Sequence, residues 1–290
     1  MKRFLPCLLF LLLAVSAQAQ VQVRLSFKRL QYIAHEPVIA TMTITNLAGR
    51  DIELRDENEQ HWFGFEITSN DGRSLSPIAQ FGEPPLQLAA GTSVTRKIDL
   101  EKRYPVADLG VYHVRANVYF ADLNKYFYAQ GKVFEVTTAR PIWQQTVGLP
   151  SGDGERTYSL MTNRFSDHTS LYVRVEDKAN GLVYATYSLG RLISFDQPHE
   201  EIDRDNQLHV MQCSAPRIWT YSVVGLDGKL VKHASYAQTR GNPRLRRMAD
   251  GSVTVAGGLI DLPVAPAASA AGRAAVPKLS DRPVDLPPQE

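Results

Sequence analysis

The feature that most constrains this chain is a period of two. Between Gly110 and Phe120, the residues Tyr112, Val114, Ala116, Val118 and Phe120 alternate with His113, Arg115, Asn117 and Tyr119. Successive side chains of an extended strand leave on opposite faces, so this spacing buries one face and turns the other outward. Residues 121–125 supply a reversal and 126–136 a return strand, which together predict a hairpin. Gly131 inside the return is the expected place of a bulge. The alternation recurs at Val21, Val23 and Leu25 and again at Val38, Ala40, Met42 and Ile44, where a turn starting at Asn46 follows. Residues 62–68 form a further strand, ended by Ser69-Asn70-Asp71-Gly72. Residues 20–138 are thus expected to form one β unit.

Pro141, Gly148, Pro150, Gly152 and Gly154 punctuate residues 139–155, which have the composition of a linker. Strands return from 156 to 261. Residues 171–176 and 182–187 flank a turn, 208–212 follow an acidic loop, and 218–224 pair with 229–233 across Gly225-Leu226-Asp227-Gly228. A second β-rich meander is expected here. Residues 262–290 contain six prolines and seven alanines with no hydrophobic period. Such a segment buries too little to offset its ordering entropy, so a disordered tail is expected.

Two resemblances attach to these patterns. The run Tyr32, His35-Glu36-Pro37-Val38, Ile44-Thr45-Asn46 resembles the opening of immunoglobulin-like, macroglobulin-type domains of bacterial exported proteins. Leu109-Gly110-Val111-Tyr112 is similar to their late Gly-x-Tyr strand. The resemblance implies a β-sandwich over 20–138 and no activity. His35 stands where that pattern more usually has glycine, and the thioester and bait elements of full macroglobulins are absent. In the second half, 205–210 and 250–255 each place a turn before an alternating strand, about one propeller blade apart. They resemble blades of bacterial β-propellers, but a ring needs about four blades or more, so a small meander sheet is the expected form.

The N-terminus bears on compartment. Lys2 and Arg3 precede an apolar run over 4–15, and Ser16-Ala17-Gln18-Ala19 places small residues where signal peptidase needs them. This predicts a secretion signal over 1–19, cut before Gln20. An uncleaved anchor is the competing reading. The run is short for a membrane span, and no later segment reaches the roughly 20 apolar residues that one needs. Removing Lys2 and Arg3 takes the basic residues from 32 to 30, against 30 acidic ones. That balance leaves no electrostatic footprint for nucleic acid. Without Cys7 only Cys213 remains, so no disulfide can form within the mature chain and the core must stabilise it. An exported chain without disulfides fits a bacterial periplasm or cell surface.

Reactive chemistry is sparse. There is no Gly-x-Ser-x-Gly elbow, no Ser-x-x-Lys and no phosphate-binding Gly-Lys-Ser loop. Ser166-Asp167-His168 has the residue types of a relay, but sequence neighbours in a turn cannot line up as one. Cys213 is expected to be a buried apolar side chain. Glu200 and Glu201 are adjacent on one strand and leave on opposite faces, unlike glycosidase carboxylates. Asp203 and Asp205 are the calcium candidates of the acidic loop, which otherwise is a solvated turn interrupted by Arg204. No cofactor is implied.

What remains is aromatic. Tyr119, Tyr126 and Tyr128 gather around one hairpin tip, and Trp219 and Tyr221 alternate on one strand. Exposed tyrosine and tryptophan suit a protein interface or the stacking of sugars; the competing reading is core and edge packing. The expectation is an exported, non-catalytic binding or scaffolding protein with a protein partner at the cell envelope. A carbohydrate-binding module is the alternative, and a hydrolase of unrecognised type the remote one.

Overall fold

The computed structural model describes residues 20–78, 82–152, 154–193 and 197–261. The expected signal (1–19) and tail (262–290) lie outside them. Eleven strands precede residue 138: β1 (Val21–Phe27), β2 (Gln31–Ile33), β3 (Ile39–Asn46), β4 (Ile52–Leu54), β5 (Phe63–Ser69), β6 (Ser74–Leu75), β7 (Leu86–Leu88), β8 (Ser93–Asp99), β9 (Gly110–Phe120), β10 (Lys125–Tyr128) and β11 (Lys132–Thr137). Eleven follow: β12 (Arg140–Gly148), β13 (Glu155–Arg164), β14 (Thr169–Asp177), β15 (Val183–Leu192), β16 (His199–Ile202), β17 (Leu208–Ala215), β18 (Ile218–Val224), β19 (Leu230–Ala237), β20 (Arg244–Arg247), β21 (Val253–Ala256) and β22 (Leu259–Asp261). Among the described residues the only helical piece is a 3₁₀ turn, Ala121–Leu123, so the protein is all-β.

The first half is a sandwich. A three-stranded sheet, β1-β3-β8, faces a six-stranded one ordered β2-β11-β9-β5-β6, with β10 also on β9. Val23, Leu25, Met42 and Ile44 from one sheet share a core with Phe65, Val114, Ala116 and Phe134 from the other. Phe134 is fully buried and stacks on Tyr112, centroids 5.2 Å apart. The alternation at β9 holds, with Tyr112, Val114, Ala116 and Val118 buried and His113 and Arg115 exposed. The expected return strand is split into β10 and β11, and Gly131 sits in the break. Asn46 closes β3 from inside: its Nδ2 donates to the carbonyls of Arg50 (2.7 Å) and Leu88 (2.9 Å), and its Oδ1 accepts the Ala48 N–H.

The second half holds two successive meanders, β12-β13-β14-β15 and β16-β17-β18-β19, the latter extended by β22. Tyr158, Leu160, Leu171 and Val173 of one pack with Leu208, Val210 and Val224 of the other. The stretch expected to be a linker is largely β12, which pairs along β13 from Arg140 to Gly148. Its sequence hides this because it is an edge strand with only Val147 buried, so alternation is weak, and Pro141 sits at a bulge where a missing N–H is tolerated. The blade-like repeat does not correspond to equivalent strands. β17 lies inside the five-stranded sheet, while β21 pairs only with β20.

Candidate functional site

The hairpin β9–β10 sets Tyr126 opposite Tyr119 and Tyr128 opposite Asn117. Cross-strand partners share a face, and Tyr126 and Tyr128 are two apart, so all three tyrosines stand on the outer face of the six-stranded sheet. Asn124 makes the reversal possible by adopting φ 47°, and its Oδ1 accepts the Tyr119 hydroxyl at 2.8 Å. The rings of Tyr119 and Tyr126 lie 5.0 Å apart, those of Tyr126 and Tyr128 6.1 Å. The Arg115 guanidinium lies 4.0 Å from the Tyr128 ring centre and ends the row. The Tyr126 hydroxyl donates to Oε1 of Gln60. Burial, followed by neighbouring phenols and carboxylates, raises the Tyr126 and Tyr128 hydroxyls above their ordinary range, so both stay protonated as donors at neutral pH.

Strand β5 completes the site. Gly64 lies opposite Asn117 and Glu66 opposite Arg115. Without a side chain at 64 the sheet face opens into a groove of about 620 Å³. A Cβ there would come 3.0 Å from Asn117 Oδ1. Tyr126 and Tyr128 line it together with Gln60, His61, Pro77 and Ile78, while Tyr119 lies beneath the row and does not line it. His61 Nδ1 is hydrogen-bonded to Asp56 Oδ2 at 2.9 Å. Among the described residues the lining offers aromatic faces, two amides, carboxylates and hydroxyls, and no serine, threonine, cysteine or lysine. Such a surface can stack on and hydrogen-bond a neutral polar ligand.

The expected site residues thus divide. Tyr119, Tyr126 and Tyr128 come together, Tyr119 as a buried base (2 % exposed) and Tyr128 as the exposed tip (38 %). Trp219 and Tyr221, offered as binding residues against a reading as core, are buried. The hairpin β20–β21 covers their side of β18, with Leu245 and Val255 packed on Met211, Trp219, Tyr221 and Val223. Gly64, Glu66, Asn117 and Gln60 were not singled out by sequence, although a glycine inside an alternating strand is a sign of close approach or an open face.

Asp203 and Asp205 do not converge as cation ligands. Asp203 Oδ1 accepts the N–H groups of Asp205 (2.9 Å) and Gln207 (2.8 Å), and Oδ2 accepts from His209 Nε2 at 2.9 Å. Asp205 is an exposed side chain 3.9 Å from Arg204. His209 Nδ1 then accepts the Tyr221 hydroxyl at 2.7 Å. Burial pushes that hydroxyl up to about 12. Two candidates from different readings therefore meet through a buried histidine, as a structural relay. Ser166 does not reach His168; Asp167 Oδ1 bonds the His168 Nδ1 at 2.8 Å, and Phe165 stacks on that ring. Cys213 is half-buried with its thiol 3.4 Å from the Ala215 carbonyl.

No family model matches the chain, and no curated protein does. Among solved structures the chain is similar to Spo0M, a sporulation control protein from Bacillus subtilis, at 10 % identity. The overlap covers 57 % of this chain and 83 % of that one with a TM-score of 0.29. A likeness this loose carries no argument about function, and the all-β architecture stands on the sheet topology itself.

Proposed function

We propose that this chain is an exported, non-catalytic binding protein whose tyrosine-lined groove holds a carbohydrate. Export rests on the sequence alone: the basic start, the apolar run and the Ala17-Gln18-Ala19 end of residues 1–19. The first sandwich is, in this reading, an immunoglobulin-like domain of macroglobulin type, supported by the strand-and-asparagine opening at Pro37 to Asn46 and its two-sheet core.

The observation that carries the ligand class is the pair Tyr126 and Tyr128, backed by the buried Tyr119, beside the side-chain-free floor at Gly64. Pyranose rings present C–H faces that pack on aromatics and hydroxyl edges that pair with amides and carboxylates. Asn117, Glu66 and Gln60 line the same groove and supply such groups. A protein partner is the second reading. It is favoured by β12, whose outer edge is unpaired among the described strands and which exposes Ile142; such edges accept a partner strand.

The test is calorimetric titration with soluble oligosaccharides of cellulose, chitin and peptidoglycan type. Tyr128→Ala and Tyr126→Ala are each expected to weaken binding by several-fold, up to about tenfold, consistent with roughly 0.5–1.5 kcal/mol per aromatic contact, without loss of the folded state. Gly64→Leu should abolish binding by filling the floor. If no oligosaccharide binds, or the variants bind as well as the parent, the carbohydrate reading fails.

A further inference from the structure

The sheet edges are not treated alike. Among the described strands most edge strands are short, with two to four residues. The longer ones are β1, β8, β12 and β15. β1 carries Arg24, and β8 carries Arg96 and Lys97. β15 is covered: Gln212 Nε2 donates to the Leu189 and Arg191 carbonyls, each at 3.2 Å, and the Ile193 N–H donates to the Cys213 carbonyl just past the strand end. Open edges recruit other chains, and short length, charge and covering are the common guards against this.

β12 has none of these guards over most of its length. It is nine residues long, and no charged residue lies between Pro141 and Gly148. Ile142-Trp143-Gln144-Gln145-Thr146-Val147 combines β-branched and aromatic side chains with two uncharged amides, the composition of a segment that pairs readily. Gln144 and Gln145 are exposed, and Ile142 is 44 % exposed. No hydrogen bond from a described residue reaches the outward N–H and carbonyl groups of 143–147. The irregularity against β13 is confined to Ile142, and from Trp143 to Gly148 the strand runs in unbroken register.

We propose that β12 pairs antiparallel with β12 of a second copy of this chain, joining two four-stranded sheets across a two-fold axis at Gln145. Partners across an antiparallel ladder share a face, so the axis passes through a residue of the strand and not between two. The bulge at Ile142 limits the regular run to 143–148, and an axis at Gln145 uses it fully. Trp143 then meets Val147 of the second copy, Gln144 meets Thr146, and Gln145 meets Gln145. The first pair is apolar and lies on the inner face, where Trp143 and Val147 already pack on the core. A glutamine amide both donates and accepts, so it can bond its own copy. A charged strand would set like charges against each other at the axis. The absence of charge gives a foreign strand nothing to read by sign and is what self-pairing requires. The proposal rests on the protein-partner reading of this edge and not on the tyrosine groove, so the oligosaccharide titration neither supports nor sinks it.

The experiment is sedimentation equilibrium of the full mature chain at concentrations up to about 100 μM. The parent is expected to dimerise, and Gln145→Lys and Gln145→Glu are each expected to weaken dimerisation by at least about tenfold, because each sets two like charges together at the axis. The side chain is exposed, so both variants should fold, which far-ultraviolet circular dichroism checks. An equimolar mixture of the two variants should dimerise again, since opposite charges then meet. Ser93→Lys, which adds the same charge on the edge strand β8, should leave dimerisation unaltered. A parent that stays monomeric over this range overturns the proposal. So does a Gln145→Lys variant that dimerises like the parent, a mixture that remains monomeric, or an equal loss in Ser93→Lys.

Discussion

The Arg29 Nη1 donates to the Tyr172 hydroxyl at 2.8 Å, across 143 residues of chain, and so ties the segment after β1 to the face of β14. Its Nη2 holds Glu36 at 2.5 Å, and the second Glu36 oxygen accepts the Ile33 N–H. Beside it Arg174 donates to the Ala34 carbonyl at 2.6 Å, and Ile33 packs with Met161 and Tyr172. The turn 33–36 is thereby docked on the outer face of the four-stranded sheet by a hydrogen-bonded patch with an apolar centre. Tyr172→Phe keeps the shape and removes one hydroxyl from this buried network. It is expected to cost about 1–2 kcal/mol in denaturant unfolding. In a double-mutant cycle, Arg29→Met and Tyr172→Phe should couple by more than about 0.5 kcal/mol, and additivity would show that the two sandwiches are not joined here.

His35 holds φ 64°, a left-handed conformation that costs a non-glycine residue about 1 kcal/mol. It is the position at which the immunoglobulin-like pattern more usually has glycine. The imidazole contributes little in return: its nearest carboxylate, Glu101, is 3.8 Å away and both side chains are partly solvated. His35→Gly is therefore expected to raise stability by about 0.5–1 kcal/mol, read as a higher thermal midpoint. A fall would show that the ring does more at this turn than relieve no strain.

The Asp203–His209–Tyr221 relay sets an acid limit. Burial alone would raise the Asp203 carboxyl, but the hydrogen bonds from His209 and from the Gln207 and Asp205 N–H groups outweigh it and hold it below the ordinary range. A carboxylate depressed in the folded state adds stability above its unfolded pKa of about 4, and that stability is lost as pH falls through the folded value. Below about pH 4 the parent should therefore lose stability more steeply than Asp203→Asn, which keeps the side-chain acceptor for the turn but carries no charge. Urea midpoints measured from pH 6 to pH 2 would decide this, and parallel curves for the two proteins would count against the relay.

Legibility in the sequence followed one-sided burial. Strands β3, β5 and β9 alternate because a core lies on one face and solvent on the other, and their spacing was plain. Strand β18 is buried on both faces once β20–β21 lies over it, so Trp219 and Tyr221 carried no sign of which side they take. Strand β12 failed in the opposite sense, being nearly all exposed. The tyrosine row was visible as a cluster, whereas Gly64 and Asn117 became part of the site only through the β5–β9 register, which pairs residues 53 apart and leaves no local trace. Asp203 and Tyr221 were noticed for separate reasons; the histidine joining them is a matter of packing.

Gly228 shows how a turn can be fixed by what it touches. It closes Gly225-Leu226-Asp227-Gly228 with φ 77°, and its N–H donates to the Gly225 carbonyl at 2.9 Å. A Cβ at this position would lie 2.5 Å from the Ala185 Cβ on β15, so the β18–β19 turn rests directly against the opposing meander. Gly228→Ala therefore meets two costs, a left-handed φ and a clash between sheets, and should destabilise by about 2–4 kcal/mol. The two separate in combination with Ala185→Gly, which removes the clash and leaves the backbone term. The double variant should recover roughly half of the loss after allowing for the effect of Ala185→Gly alone. Full recovery would assign the cost to contact between the meanders, and none would assign it to the turn.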